Sequence, residues 1–141
     1  MIKFEKLPAD IRSRFPEIQK ALLAEEPVVF AYLFGGFARG RTNPLSDIDI
    51  AVYLDNTDRL AEYKLDLFDR LTGLLGTSEL DLVILNTAPL TLAGRVIQNK
   101  QILIDKEPFR RHLYESVTLR KFFDFQIKER DFFKRRYGIG G

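Results

Sequence analysis

A glycine pair, followed at short distance by two aspartates, is the feature that most constrains the fold of this chain. The apolar run 28–34 ends in Gly35-Gly36, and ten residues later a second apolar run starts at Asp47-Ile48-Asp49. Because side chains on a strand alternate between its two faces, Asp47 and Asp49 point the same way if residues 48–54 form a strand. The sequence therefore predicts two carboxylates side by side on one face of a sheet.

Carboxylates in this arrangement repel each other unless a cation lies between them. Their hard oxygen atoms suit Mg²⁺ or Mn²⁺. Gly35 and Gly36 leave a backbone that can approach a phosphate closely and present N–H groups to it. A phosphate cradle beside a metal-binding carboxylate pair indicates chemistry on a nucleoside triphosphate.

A third acidic residue, Asp81, lies in the largely apolar run 79–85. If this run is a strand next to the one that carries Asp49, the three carboxylates converge at one end of the sheet. Such a cluster can hold two divalent cations about 3.5–4 Å apart, the arrangement found in enzymes that catalyse in-line displacement at a phosphorus atom. We then expect Asp47 and Asp49 to bridge both ions. Asp81 is expected to bind the ion on the nucleophile side and to assist deprotonation of the attacking hydroxyl.

Helical and strand patterns interleave along the whole chain, which predicts an α/β or closely related α+β class. Apolar runs predict strands over 28–34, 48–54, 79–85 and 101–105. Helical spacing and breakers predict helices from Pro16 to about Glu25, over 60–75 with N-cap candidates at 55–58, from Pro89 to about Asn99, and one or two from Pro108 to Tyr137. We expect a single domain over residues 1–141, with a core of about 16–106 and C-terminal helices over about 108–137.

The composition excludes several classes of protein. Hydrophobic residues make up 45% and charged residues 30% of the chain, as in ordinary soluble domains. The absence of cysteine excludes a disulfide framework and a thiolate metal site. The longest nearly apolar run is too short for a bilayer, and the N-terminus lacks the apolar segment of a signal peptide. We therefore expect a cytoplasmic protein that does not enter a membrane.

The C-terminal segment 107–137 carries nine Lys or Arg against five Asp or Glu. A solvated helix face explains this modest excess better than direct nucleic-acid binding. A buried helix face holds roughly three to four apolar residues per two turns, and the aromatic residues here spread over more than one face. Either the segment is buried within its own domain or another chain covers part of it. The aromatic residues at issue are Phe109, Tyr114, Phe122, Phe123, Phe125, Phe132, Phe133 and Tyr137.

Three short motifs together resemble the signature of the DNA polymerase beta-like nucleotidyltransferase superfamily. They are Phe34-Gly35-Gly36, Asp47-Ile48-Asp49-Ile50 and Leu80-Asp81-Leu82. With its short length, Ala38-Arg39-Gly40 and Ser46, the chain is similar to the minimal nucleotidyltransferases, the antitoxin partners of HEPN-domain toxins. The resemblance implies a nucleotidyltransferase fold and transfer of AMP from ATP to a tyrosine of the cognate toxin, which silences its RNase activity.

The resemblance also implies roles for individual residues. Asp47, Asp49 and Asp81 would be the catalytic residues and the ligands of two Mg²⁺ ions, with Mn²⁺ as an alternative. For the triphosphate of ATP, the candidate contacts are Gly35, Gly36, Arg39 and Ser46. Ser46 has a second interpretation, a bond to the backbone of its own turn.

One position departs from the family pattern, and two other functions stay open. Minimal members usually carry Ser after the first glycine, where this chain has Gly36. A glycine N–H still donates to a β- or γ-phosphate, but the missing hydroxyl would weaken ATP binding. One alternative is a non-catalytic antitoxin that covers the toxin's active site through its C-terminal helices. The other is a nucleotidyltransferase with a small-molecule acceptor, such as an aminoglycoside, or an RNA end; it would need acceptor-binding elements that the sequence does not reveal.

Overall fold

The computed structural model describes residues 11–38 and 48–138, in which strands and helices interleave as predicted. The strands are β1 (Val28–Phe34), β2 (Ile48–Leu54), β3 (Leu80–Ile84) and β4 (Gln101–Asp105). The helices are α1 (Phe15–Ala24), α2 (Gly35–Ala38), α3 (Leu60–Leu75), α4 (Leu90–Gln98) and α5 (Pro108–Tyr137), and a 3₁₀ turn, Ile11–Arg14, precedes α1. The predicted α/β (α+β) class is confirmed. Among the described residues, no helix is both long and apolar enough to cross a membrane.

The four strands form one mixed sheet in the order β3-β2-β1-β4. β1 pairs antiparallel with both β2 and β4, whereas β2 and β3 run parallel. The strand that carries Asp81 therefore lies beside the strand that carries Asp49, which is the condition for their carboxylates to converge. Among the described strands β3 is an outer one, so only one of its edges is bonded to the rest of this sheet.

The sheet buries a separate apolar cluster on each face. On one face, side chains of α1 and α3 pack against Ile48, Ile50 and Leu82. On the other face, α4 and α5 cover a cluster that includes Ala51 and Val83. β1 lies between two neighbouring strands and under both layers, which is why its sequence is apolar throughout.

The start of α3 differs from the prediction. The N-cap is Arg59, with a left-handed φ of +52°, and no polar side chain before it caps the helix. Asn56 instead accepts a hydrogen bond from the Asp58 N–H, which closes a local turn. The predicted end of this helix at residue 75 is correct: the next residue, Gly76, has φ +73°, and its N–H donates to the Thr72 carbonyl.

The first half of α5 is fixed to the sheet by a polar network around Glu115. The Tyr32 hydroxyl donates to Glu115 at 2.7 Å, and Arg111 bonds both Glu115, at 3.1 Å, and Asp105, at 2.7 Å. Lys100 lies 3.3 Å from the same Glu115 carboxylate. Burial raises the pKa of Glu115, but the bond from Tyr32 and the charges of Lys100 and Arg111 outweigh it, so the pKa is lowered. The ionised carboxylate therefore ties α5 to the middle of β1.

The segment 108–137 is one continuous helix, and its second half leaves the domain. Phe122 is buried against α4, where a Cβ on Gly94 would lie only 2.4 Å from the Phe122 ring. From Phe123 to Gly138 every described residue is exposed. Of the two predicted environments for these aromatic residues, burial within the same domain is wrong for this half of the helix.

Candidate active site

Asp49 and Asp81 are direct neighbours across the β2–β3 ladder. The parallel register pairs these two residues, and two positions further along it pairs Ala51 with Val83. Ala51 and Val83 belong to the cluster under α4 and α5, so strand alternation places both carboxylates on that same face of the sheet. Asp81 is exposed and Asp49 is half-buried. The structure thus brings together two of the three predicted carboxylates at an accessible end of the sheet.

Gly35 is packed directly against the Asp49 carboxylate. A Cβ built on Gly35 would lie 2.2 Å from Oδ2 of Asp49, and Gly35 has a left-handed φ of +72°. Both the space and the backbone conformation therefore require glycine at this position. The sequence predicted a glycine for close approach to a phosphate; the structure adds that it also makes room for the carboxylate.

The glycine pair forms the start of a short helix that follows β1. Gly35 and Gly36 are the first two residues of α2. N–H groups in the first turn of a helix have no acceptor within that helix, which is the property that a phosphate-binding backbone needs. The predicted role of Gly35 and Gly36 is compatible with this position and stays a prediction.

Several predicted site residues lie outside the described residues: Arg39, Ser46 and Asp47. Their roles in nucleotide and metal binding stay predictions. Asp47 directly precedes β2 in the sequence. Within residues 11–38 and 48–138, no three Asp, Glu, His or Cys side chains form a potential metal site.

A groove follows the outer edge of β3 and includes Asp81. One wall comes from α3, with Ala61, Lys64, Leu65 and Phe68, and the other from the segment before and at the start of α4, with Thr87, Ala88, Pro89 and Leu92. We call it the edge groove; residues 80–84 of β3 form its floor. Sequence reasoning missed these wall residues. Helical periodicity showed which side chains of α3 face the core, but only the sheet order reveals that the others flank Asp81.

An aromatic cluster covers the same face of the sheet further along β2. The rings of Phe30 and Tyr53 stack at 4.8 Å, Tyr114 contacts both, and the Arg110 guanidinium lies 5.4 Å from the Tyr53 ring. Burial raises the pKa of Tyr114 to about 12, so this hydroxyl stays protonated at neutral pH. Burial likewise raises the pKa of Tyr32, with a further contribution from Glu115. These tyrosines serve packing and hydrogen bonding.

Comparison with known proteins identifies a family. Residues 16–109 match the sequence profile described as polymerase beta, nucleotidyltransferase. This span contains all the residues of the predicted site. No curated protein matches the chain.

Solved structures of toxin–antitoxin systems share the fold. A toxin–antitoxin crystal structure with AMP-PNP is 27% identical over 86% of this chain and 96% of the other, with a TM-score of 0.71. The MntA-HepT toxin–antitoxin is 25% identical over 88% and 97%, with a TM-score of 0.67. A complex of tri-AMPylated Shewanella oneidensis HEPN toxin with MNT antitoxin is 24% identical over 89% and 97%, with a TM-score of 0.67, and supports the fold alone.

Proposed function

Because the chain belongs to the polymerase beta nucleotidyltransferase family, we propose that it transfers AMP from ATP to a tyrosine of a cognate HEPN-domain toxin and so neutralises the toxin. The observation that carries this proposal is the pairing of Asp49 with Asp81, with Gly35 packed against the first carboxylate. Like charges at neighbouring positions of paired strands destabilise a sheet. Stability of the fold therefore does not explain why two carboxylates lie side by side here.

The donor atoms at this site fit a magnesium centre. Asp49 and Asp81 offer oxygen ligands from adjacent strands, and Asp47 would complete the set. We propose that these three residues hold two Mg²⁺ ions, with Mn²⁺ as an acceptable substitute. When bound, Mg²⁺ supplies positive charge that stabilises the triphosphate and lowers the pKa of a nearby hydroxyl.

The protein's own groups would then position the reactants. The N–H groups of Gly35 and Gly36 are proposed to bind the β- or γ-phosphate, together with Arg39 and Ser46. The tyrosine oxygen of the toxin forms a bond to the α-phosphorus of ATP, and the bond from that phosphorus to the bridging oxygen breaks. Pyrophosphate leaves, and the hydroxyl proton passes to Asp81, the exposed carboxylate of the pair, or to water.

The related structures support a protein acceptor over a small molecule or an RNA end. The two reported structures of at least 25% identity are toxin–antitoxin structures, one of them with AMP-PNP. The chain spans 96% and 97% of the length of these relatives. An acceptor domain for a small molecule would be an addition to that shared layout, and the described residues contain none.

Intact-mass spectrometry of the toxin tests the proposed function. After incubation of the protein with the cognate HEPN toxin, ATP and Mg²⁺, we expect the toxin to gain the mass of one or more AMP groups. Parallel samples with EDTA, with GTP, CTP or UTP, and without the protein are the controls. If the two proteins form a complex but wild type adds no AMP, the enzymatic proposal is wrong and the binding-only antitoxin replaces it.

We further propose that the second half of α5 is the main contact surface for the toxin. Phe125, Phe132, Phe133 and Tyr137 are 41–57% exposed. At 3.6 residues per turn, all four lie within about 80° of the direction of Phe122, which packs on α4. The apolar face that holds α5 to its own domain therefore continues beyond the domain with nothing in the described residues to cover it. Aromatic surfaces of this kind are enriched at interfaces.

A charge placed on this aromatic face should weaken the complex. We expect Phe132→Glu to raise the Kd for the toxin by roughly 30-fold, because a central aromatic contact contributes about 2 kcal/mol. The matched control is Phe109→Glu at the other end of α5, where the side chain is 83% exposed. Isothermal titration calorimetry measures both, and circular dichroism checks the helix content. An equal Kd for the two variants would place the interface elsewhere.

A further inference from the structure

The outer edge of β3 has backbone groups without partners in the described part of the chain. Hydrogen bonds from Ile48 N–H to Glu79 and from Leu85 N–H to Val52, at 3.1 and 2.9 Å, fix which β3 residues face β2. Because alternate residues of a parallel strand bond to the same neighbour, the N–H and C=O of Leu82 point away from the sheet.

Leu82 therefore stands at the centre of an unpaired strand segment. At each end of β3 one outward group is already used: Leu80 N–H donates to the Ser78 carbonyl, and the Ile84 carbonyl accepts from Thr87 N–H. What stays open is a short stretch around Leu82, one residue from Asp81. Strand edges whose backbone groups lack partners pair readily with another extended chain.

The edge groove gives this open stretch two walls. Leu65 on the α3 wall is 67% exposed although it is a large apolar side chain. Lys64 borders both parts of the groove and has no ion-pair partner among the described residues. Side chains of a strand added at this edge would alternate between the α3 wall and the face that carries Asp81.

We propose that the acceptor segment of the partner protein binds in the edge groove as an extended strand paired with β3. This inference rests on the proposed function, since it concerns how the acceptor tyrosine reaches the site. The backbone of Leu82 would exchange both of its hydrogen bonds with one residue of the added strand. The tyrosine would lie on the face of Asp49 and Asp81, and its neighbours in sequence would contact Leu65 and Phe68.

The chemistry of the groove selects the kind of segment that fits. An apolar side chain matches Leu65 and Phe68, and an acidic side chain matches the positive charge of Lys64. A second copy of this chain fits less well. Two β3 strands paired about Leu82 would bring both Asp81 carboxylates to diagonal positions, roughly 7–8 Å apart on one face.

Kinetics with groove variants give the first test. Leu65→Gln should raise the KM for the toxin roughly tenfold, and leave the KM for ATP and the kcat at saturating toxin unchanged, because it removes an acceptor contact without adding charge near Asp81. Leu23→Gln on α1, where the side chain is 55% exposed, is the control and should behave as wild type. Equal KM values for Leu65→Gln and wild type would overturn the proposal.

Residue-resolved hydrogen–deuterium exchange gives a second test that does not depend on catalysis. In the complex with the toxin, without ATP or Mg²⁺, the Leu82 amide should become protected, whereas Asp81 and Val83, already bonded to β2, should change little. If the Leu82 amide is protected but wild type transfers no AMP, binding in the edge groove is supported and the proposed function is wrong. If AMP is transferred but the Leu82 amide stays unprotected, only the proposed binding in the edge groove is wrong. If Leu82 is protected in this chain without toxin, in a sample that sediments as a dimer, a second copy is the occupant and the proposal fails.

Discussion

Asp49→Asn should abolish AMP transfer while the protein stays folded and keeps its affinity for the toxin. Asparagine has the shape of aspartate, so the space beside Gly35 stays filled, but one of the two adjacent negative charges is lost. If the carboxylate pair holds a metal that contributes several kcal/mol to stabilising the transition state, the loss corresponds to a decrease in rate of roughly 10³-fold or more.

The measurement is the rate of AMP addition to the toxin, followed by intact mass. Asp58→Asn is the matched control, because Asp58 is exposed in the turn before α3, away from the β2–β3 ladder. Asp49→Asn also distinguishes an enzymatic antitoxin from an antitoxin that acts by binding alone. If cells that express Asp49→Asn are protected from the toxin as well as wild-type cells are, neutralisation does not require transfer.

Gly35→Ala is expected to have the second largest effect, through geometry and not through charge. The added Cβ would overlap Oδ2 of Asp49, at 2.2 Å, so the carboxylate has to leave its position. The left-handed φ of +72° adds a backbone penalty of about 1–2 kcal/mol for alanine. We expect a drop in transfer rate of roughly 100-fold or more, since a shift of about 1 Å in a catalytic group has that cost.

Gly73→Ala provides a control for the substitution itself. Gly73 lies within α3, and a Cβ there has nothing within 4 Å. This variant should keep the wild-type transfer rate and gain up to about 1 kcal/mol of stability, because alanine favours the helix. Urea unfolding and the transfer assay measured on both variants test the two effects separately. Wild-type activity of Gly35→Ala would show that the position of Asp49 is not critical.

The sequence alone predicted much of the sheet and indicated the closeness of two of the proposed site's carboxylates. The bounds of β1, β2 and β4 agree with the predicted strands because each apolar run is closed by glycine, proline or charged residues. The proximity of Asp49 and Asp81 followed from motif spacing and the resemblance to the superfamily. Spacing could not show that Gly35 packs against Asp49, because this contact depends on the turn between β1 and α2.

Other features depend on tertiary structure that a local pattern does not encode. The N-cap of α3 at Arg59 overrides a run of good capping residues, one of which, Asp55, forms an ion pair with Arg110 of α5 at 2.8 Å instead. The outer position of β3, and with it the edge groove, follows from the strand order. Whether the aromatic residues of α5 are buried depends on where the domain ends beneath the helix, and one sequence cannot determine that.

The hydrogen bonds of Glu115 attach the first half of α5 to β1, the strand that leads into Gly35, and the second half extends from the domain as an arm. Its fifteen exposed helical residues, 123–137, extend about 22 Å at 1.5 Å per residue. A toxin held by this arm would stay tethered near Asp81 after each transfer. The local concentration of its acceptor segment would then be set by the length of the arm and no longer by the concentration in solution. One binding event would then allow several successive additions of AMP. The arm would set the distance between the toxin surface that it binds and the toxin segment that is modified.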